Sequence, residues 1–362
     1  MQWIVCLLHQ NELPFRHLFE KIDGKAVGPE TFTGPVGKLI SGKDGLILKP
    51  LEESISFEPV SGKVPIIDYE LENNDLKYLY KICHLIQKGP KEGDLSILLE
   101  KPGKVCLSRW VTLTSNICRC FCQTPKPICN YTRKDTRRTK ADIRYRKLLR
   151  LVKIILNLYA PMCFLIRKDY HVANGSKLLF QQLCFAREVL TVSEMEVYKE
   201  VFKNNCFFAH CENILLAMMF DNTIGMRLNA LEMILEARKR SKKSKSKKVR
   251  KFILPKKFLN FEAGHYSDLL KWSEMKPCEI TEPPLLRKYS DEELKGIAEG
   301  TLMVEKSKIP CHAQSVEKMV ATTSIAASNE IGYSKRHANI LNKEKSYQKF
   351  SSRFRKSNFV SK

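Results

Sequence analysis

Tyr145-Arg146-Lys147-Leu148-Leu149-Arg150-Leu151-Val152-Lys153-Ile154-Ile155-Leu156-Asn157-Leu158-Tyr159-Ala160-Pro161-Met162-Cys163-Phe164-Leu165-Ile166 is the stretch that sets the fold class. Leu148, Leu151, Val152, Ile155, Leu158 and Tyr159 recur at helical spacing, so one face of a helix is apolar. Pro161 is placed to kink that helix. The uncharged apolar run from Ile154 to Ile166 is interrupted by Asn157 and Pro161 and is too short to span a bilayer. It reads as a buried helix. The helical reading continues to Arg238: Leu178, Leu179, Leu183, Ala186 and Leu190 form a second stripe, and Ile224, Leu228, Leu231 and Leu235 a third. No tetratricopeptide or ankyrin repeat is visible, so these stripes predict a bundle of several helices.

Toward the N-terminus, Asp75 is placed to cap a helix running to about Gln87, with Leu76, Leu79, Ile82, Cys83 and Ile86 on one face and Gly89-Pro90 as its stop. A further helix is expected after Pro102-Gly103, burying Leu107, Trp110, Val111, Thr114, Ile117, Cys118 and Phe121. Trp3 to Leu8 is a short unbroken apolar run and reads as a buried strand. Pro14 then suits the first turn of a helix, which Asp23-Gly24 closes. Gly24 to Gly45 reads as a structured loop, and Leu46 to Ile67 as a source of one or two short strands.

Toward the C-terminus the composition shifts sharply. Arg238, Lys239, Arg240, Lys242, Lys243, Lys245, Lys247, Lys248, Arg250 and Lys251 follow one another with no acid among them. A helix is predicted over Ser290 to Glu299, capped by Ser290 and Asp291, and a short one over Ser315 to Ala327. The basic, polar tail from Ser334 reads as disordered. The expected organisation is an α/β remnant at 1–70, a helical bundle at 71–237, a basic linker at 238–257, a helical segment at 258–333 and a basic tail at 334–362. The fold class is mainly α.

The chain has 362 residues, 43% of them hydrophobic, enough for a sizeable core. Sixty-two Lys and Arg against 39 Asp and Glu give a net charge of +23, which favours an anionic partner, most commonly nucleic acid. Thirteen cysteines are scattered without the spacing of a secreted framework. With no basic n-region or small-residue cleavage site at Met1, reduced intracellular thiols are expected.

Few motifs carry chemistry. Cys6 and His9 have a metal-ligand spacing but lack a second tight pair, so no metal or other cofactor is expected. Cys118, Cys120, Cys122 and Cys129 cluster, yet alternate residues of a helix point apart. The glycines of 24–45 do not open a helix in a phosphate-cradling pattern. Lys242-Lys243-Ser244-Lys245-Ser246-Lys247-Lys248 is suited to phosphate contacts, and also has the form of a nuclear-localisation patch. No aromatics are interleaved there, so base stacking is not expected.

Cys6-x-x-His9, followed by a helix and much later by Ser108-Arg109-Trp110, resembles the signatures of hAT-type DNA transposases. Asn11-Glu12-Leu13-Pro14-Phe15-Arg16-His17-Leu18, Gly28-Pro29, Gly34-Pro35, Ala209-His210-Cys211-Glu212-Asn213 and Pro310-Cys311-His312-Ala313-Gln314 resemble a group of transposon-derived proteins of arthropod genomes over most of the chain. The resemblance implies that 1–70 is a fragment of a ribonuclease H-like core, begun inside a strand as in an N-terminally truncated transposase. It implies that Trp110 could stack on an extruded base with Arg109 at a phosphate; burial of Trp110 in the core is the competing expectation. The family cuts DNA with an Asp-Asp-Glu set that holds two metals. Both aspartates precede the Cys-x-x-His motif there, whereas Met1 to Val5 contain no acid. Glu317, in Ser315-Val316-Glu317-Lys318, matches the late glutamate alone. The expectation is therefore a catalytically inactive, nuclear, non-membrane protein that binds DNA or RNA non-specifically. The alternatives are a helical protein-interaction scaffold and a decayed fragment.

Overall fold

The computed structural model describes residues 7–26, 31–41, 57–71, 73–90, 96–100, 109–124, 126, 140–168, 172–203, 209, 211–243, 259–270 and 289–300. They lie in one compact unit, Met1–Ile309. Of the described residues 76% are helical and none is in a strand. The helices are α1 (Leu7–Ile22), α2 (Pro35–Ile40), α3 (Asn74–Lys88), α4 (Ser96–Leu99), α5 (Arg109–Gln123), α6 (Lys140–Ile154), α7 (Ala160–Lys168), α8 (Gly175–Val189), α9 (Val192–Lys203), α10 (Cys211–Met219), α11 (Ile224–Lys243) and α12 (Asp291–Glu299).

A π-helical turn, Ile155–Tyr159, joins α6 to α7, so one helix runs 29 residues from Lys140 to Lys168. It is longer than the uncharged run alone suggests. By length and composition it could cross a membrane, but 72% of its most apolar window is buried inside the protein. Leu148, Leu151, Val152, Ile154, Ile155, Leu156, Ala160 and Phe164 are essentially inaccessible, beneath α1, α2, α3, α5 and α8. Each Val, Leu, Ile or Phe side chain among them contributes about 1.5–3 kcal/mol on burial.

The π turn follows from Pro161. Ala160 donates its N–H to the Ile155 carbonyl, five residues back. The next donor in that register would be Pro161, which has no N–H. The Leu156 carbonyl is taken instead by the backbone N–H of Lys63, at 2.9 Å. Lys63 belongs to an extended strap, 57–71, where short strands were expected. The strap is fastened elsewhere by Val60 N–H to the Ile86 carbonyl at 3.0 Å, Asn157 Nδ2 to the Ser61 carbonyl at 3.1 Å, and Tyr69 Oη to the Phe164 carbonyl at 2.7 Å. Gly62 is required by this approach: a Cβ there would sit 2.8 Å from Leu156 Cβ.

The expected N-terminal strand is not seen. Leu7 and Leu8 open α1, while Trp3 to Cys6 lie outside the described residues. Leu7, Leu8, Asn11, Phe15, Leu18 and Phe19 are buried along one side, so Leu7 and Leu8, the described end of the apolar run, belong to a helical stripe. Pro14 stands mid-helix, not at the first turn. It deprives the Gln10 carbonyl of its donor, and Gln182 Nε2 from α8 approaches that oxygen at 3.5 Å. α1 ends as expected at Asp23-Gly24, with Gly24 at φ +126°.

Asp23 then caps α2, which lies inside the expected loop. Its two carboxylate oxygens accept from Val36 N–H at 3.0 Å and Gly37 N–H at 2.7 Å. A Cβ on Gly34 would collide with Asp23, so the glycine permits the contact. α3 follows the expected stripe and stops at Gly89, φ +83°, but its cap is Asn73, not Asp75: Asn73 Oδ1 accepts from Asp75 N–H at 2.9 Å. α12 has the expected start, with Ser290 and Glu293 forming a capping box. In α11 the expected stripe is only partly buried: Leu231 is covered, but Ile224 is 54% and Leu228 39% exposed.

Candidate functional site

The residues singled out from sequence are not gathered into one site by the described structure. Cys6, Lys245, Lys247, Lys248 and Glu317 lie outside the described residues, as do Cys129, the expected helix at 315–327 and the tail. His9 is in α1, Arg109 opens α5, and Lys242 and Lys243 are in the last turn of α11. Trp110 is half-buried. Its ring meets Phe15 edge-on at 5.9 Å and Phe19 at 6.2 Å, so it contributes to the wall between α5 and α1.

Among the described residues the buried cysteines are packing residues. Cys83, Cys118, Cys120, Cys122 and Cys163 are buried and free. Burial pushes the Cys163 thiol up to about 12 and Cys120 up to about 11, so neither supplies a thiolate near neutrality. Among the described residues no three His, Cys, Asp or Glu side chains group as metal ligands.

Three of the six cations of α6 are paired with acids by the fold. Arg146 pairs with Asp142 at 3.2 Å. Lys147 reaches the buried Asp23, 3.9 Å from its carboxylate and 3.5 Å from its carbonyl. Arg150 binds Glu194 with two nitrogens and donates to the Val189 carbonyl at 2.8 Å. Glu194 also completes a capping box at the start of α9, accepting from Thr191 N–H at 2.8 Å while Thr191 Oγ1 accepts from Glu194 N–H at 3.4 Å. Burial by itself would raise the Glu194 carboxyl. The Arg150 guanidinium and the Thr191 N–H outweigh it and hold the group below the usual carboxylate range.

Lys140, Arg144 and Lys153 have no carboxylate partner among the described residues, and Lys153 is the one that lines a groove. Lys153 faces an open groove of about 600 Å³ between the strap, α6 and α8. Glu58, Pro59, Val60, Ser61 and Lys63 of the strap line it, with Phe121, Lys126, Tyr145, Leu149, Asn157, Phe185, Glu188 and Val189. Lys126 pairs with Glu58 at 2.7 Å, and Lys63 pairs with Glu188 while lying over the Phe185 ring, 5.4 Å from its centre. Asn157 Nδ2 donates to Ser61 and Lys153 carbonyls, so its amide is fixed. Lys153 has no carboxylate partner. The sequence reading missed this groove because its residues come from four separate stretches of chain, 58–63, 121–126, 145–157 and 185–189. The single local hint was Pro161, whose missing N–H draws the strap onto the helix.

No protein-family model matches the chain, and neither a curated protein nor a solved structure does.

Proposed function

We propose that the protein is a transposase-derived, non-catalytic nucleic-acid binder that contacts phosphates through the basic run continuing from the end of α11. The observation that carries this reading is the acid-free basic run itself, set beside α6, where acids are at hand for three cations. Arg146, Lys147 and Arg150 of α6 are occupied by Asp142, Asp23 and Glu194, whereas Arg238 to Lys251 contain no acid at all. The end of α11 also concentrates cations at a helix C-terminus, where the backbone dipole favours them. The hAT-like and ribonuclease H-like ancestry belongs to the same proposal. Its support is the Cys6, His9 and Arg109-Trp110 pattern and the longer quoted runs.

Binding is measured by fluorescence anisotropy on unrelated duplex and single-stranded oligonucleotides over a salt series. Affinity is expected to be indifferent to sequence and to fall steeply with salt. Replacing Lys242, Lys243, Lys245, Lys247 and Lys248 with Ala weakens binding to all sequences and flattens the salt slope by roughly one unit per lost contact. Unchanged affinity in that variant, or binding insensitive to salt, overturns the proposal. The scaffold reading keeps one specific observation in its favour: Ile224 and Leu228, one turn apart on α11, are both exposed.

A further inference from the structure

We infer that the groove beside the π turn is a binding site for a small organic carboxylate, a monoanion with an apolar or aromatic body. The size fits: about 600 Å³ falls within the range of roughly 300–1,000 Å³ typical of small-molecule sites. The walls fit as well. Phe121, Leu149, Phe185 and Val189 give the groove an apolar lining, and Tyr145 adds a ring that stacks on Phe121 at 6.1 Å.

The charge arrangement selects the ligand. Two lysines in the groove are already matched, Lys126 by Glu58 and Lys63 by Glu188. Lys153 is the unmatched cation, and it stands one turn before Asn157, whose amide is anchored to the strap. A single ammonium attracts a single negative charge. A phosphate monoester brings close to two, and the carboxylates of Glu58 and Glu188 on the same lining would repel the excess. A neutral ligand would fill the walls but gain nothing from the exposed Lys153 ammonium at the rim. A monoanion with an apolar body satisfies both the walls and the ammonium.

The floor is built to stay in place. The strap is locked to the helix by the Lys63 N–H bond to Leu156 and by the close approach at Gly62. A ligand therefore meets a preformed surface and binds without the cost of ordering it. This inference is independent of the nucleic-acid reading, because none of the residues at 242–248 lines the groove.

Isothermal titration of the full chain with 2-naphthoate, its neutral amide 2-naphthamide, and AMP tests the assignment. 2-Naphthoate is expected to bind about tenfold more tightly than the amide, the scale of one charge-assisted hydrogen bond. Lys153→Gln removes that preference and Lys153→Arg, which keeps the charge, retains it. Lys153 is exposed on its helix, and far-ultraviolet circular dichroism verifies that each variant is folded. Three results overturn the inference: no binding of 2-naphthoate at millimolar concentration, equal affinity for acid and amide, or an unchanged preference in Lys153→Gln. Tighter binding of AMP than of 2-naphthoate also overturns it and reassigns the groove to phosphate contacts.

Discussion

The helix from Lys140 to Lys168 and the helix α11 are both long and both basic, but the fold treats their charges differently. The first is buried along most of its length, and carboxylates from its own first turn, from the end of α1 and from the start of α9 meet Arg146, Lys147 and Arg150. The second packs on α10 and α12, burying Ala230, Leu231 and Ile234. Its described ion pair, Arg238 with Asp291, is half-exposed, and its cations then continue into 244–251. A run of lysines and arginines thus says little about available positive charge until the acids that approach from elsewhere in the chain are known. On α6 the cations help to hold helices together.

The largest expected difference between the two helices is in packing. Leu151 is fully buried in α6, and Leu228 is 39% exposed on α11. Leu151→Ala should cost about 2–5 kcal/mol, the range for a leucine removed from a core that cannot collapse. Leu228→Ala should stay within about 0.5 kcal/mol. Urea unfolding of both variants gives the comparison directly. Similar losses at the two positions would mean that α11 is covered as thoroughly as α6.

The next effect concerns the acid that joins α1, α2 and α6. The Asp23 side chain has no accessible surface, caps α2 through two N–H groups and faces Lys147. Asp23→Ala leaves those N–H groups without acceptors and should cost about 2 kcal/mol in the same unfolding assay. A loss below a few tenths would show that water or a neighbouring group replaces the carboxylate easily, and α2 would then not depend on its cap.

What the sequence revealed and what it hid divides along local and non-local lines. The stripe of α3, its stop at Gly89 and the cap at Ser290 are set by residues within a few positions of each other and are present in the structure; α5 forms too, but Leu107 lies outside the described residues and burial extends around the helix to Thr112, Ser115 and Arg119. Leu7 and Leu8 read as the end of a strand but lie in a helix, because a short apolar run has no period of its own. The helical pattern of Leu7, Leu8, Phe15, Leu18 and Phe19 emerges only when Pro14 is allowed inside a helix. That allowance depends on Gln182, far along the chain, reaching the Gln10 carbonyl. Ile224 and Leu228 obey the helical period yet stand exposed, since periodicity identifies a face but not what covers it. The groove was illegible for the same reason: Lys63, Lys126 and Lys153 share no spacing and are assembled by the strap. Of the residues picked for function, Trp110 is placed between Phe15 and Phe19, while Glu317 and Lys245 to Lys248 lie outside the described residues.

The smallest effect in the comparison is a dependence on acid. Arg150–Glu194 on α6 and Arg238–Asp291 on α11 are chemically alike, but the Glu194 side chain is 8% accessible and that of Asp291 49%. Glu194 is held below its ordinary value of 4.5: burial opposes ionisation, and the Arg150 and Thr191 hydrogen bonds exceed that opposition. A carboxyl whose folded value is depressed adds stability that is fully present above its unfolded value and disappears as pH falls through the folded one. The contribution of Glu194 is therefore complete at neutral pH and fades below about pH 4. Glu194→Gln should lower stability at pH 7 and make the loss of stability between pH 5 and pH 3 shallower than in the parent chain. Asp291→Asn should change stability at pH 7 by less than about 1 kcal/mol, as for other exposed pairs. Urea midpoints collected at half-unit pH intervals resolve both. If Glu194→Gln follows the parent curve throughout, the Arg150 pair is as solvent-screened as the one on α11, and the two basic helices differ in packing alone.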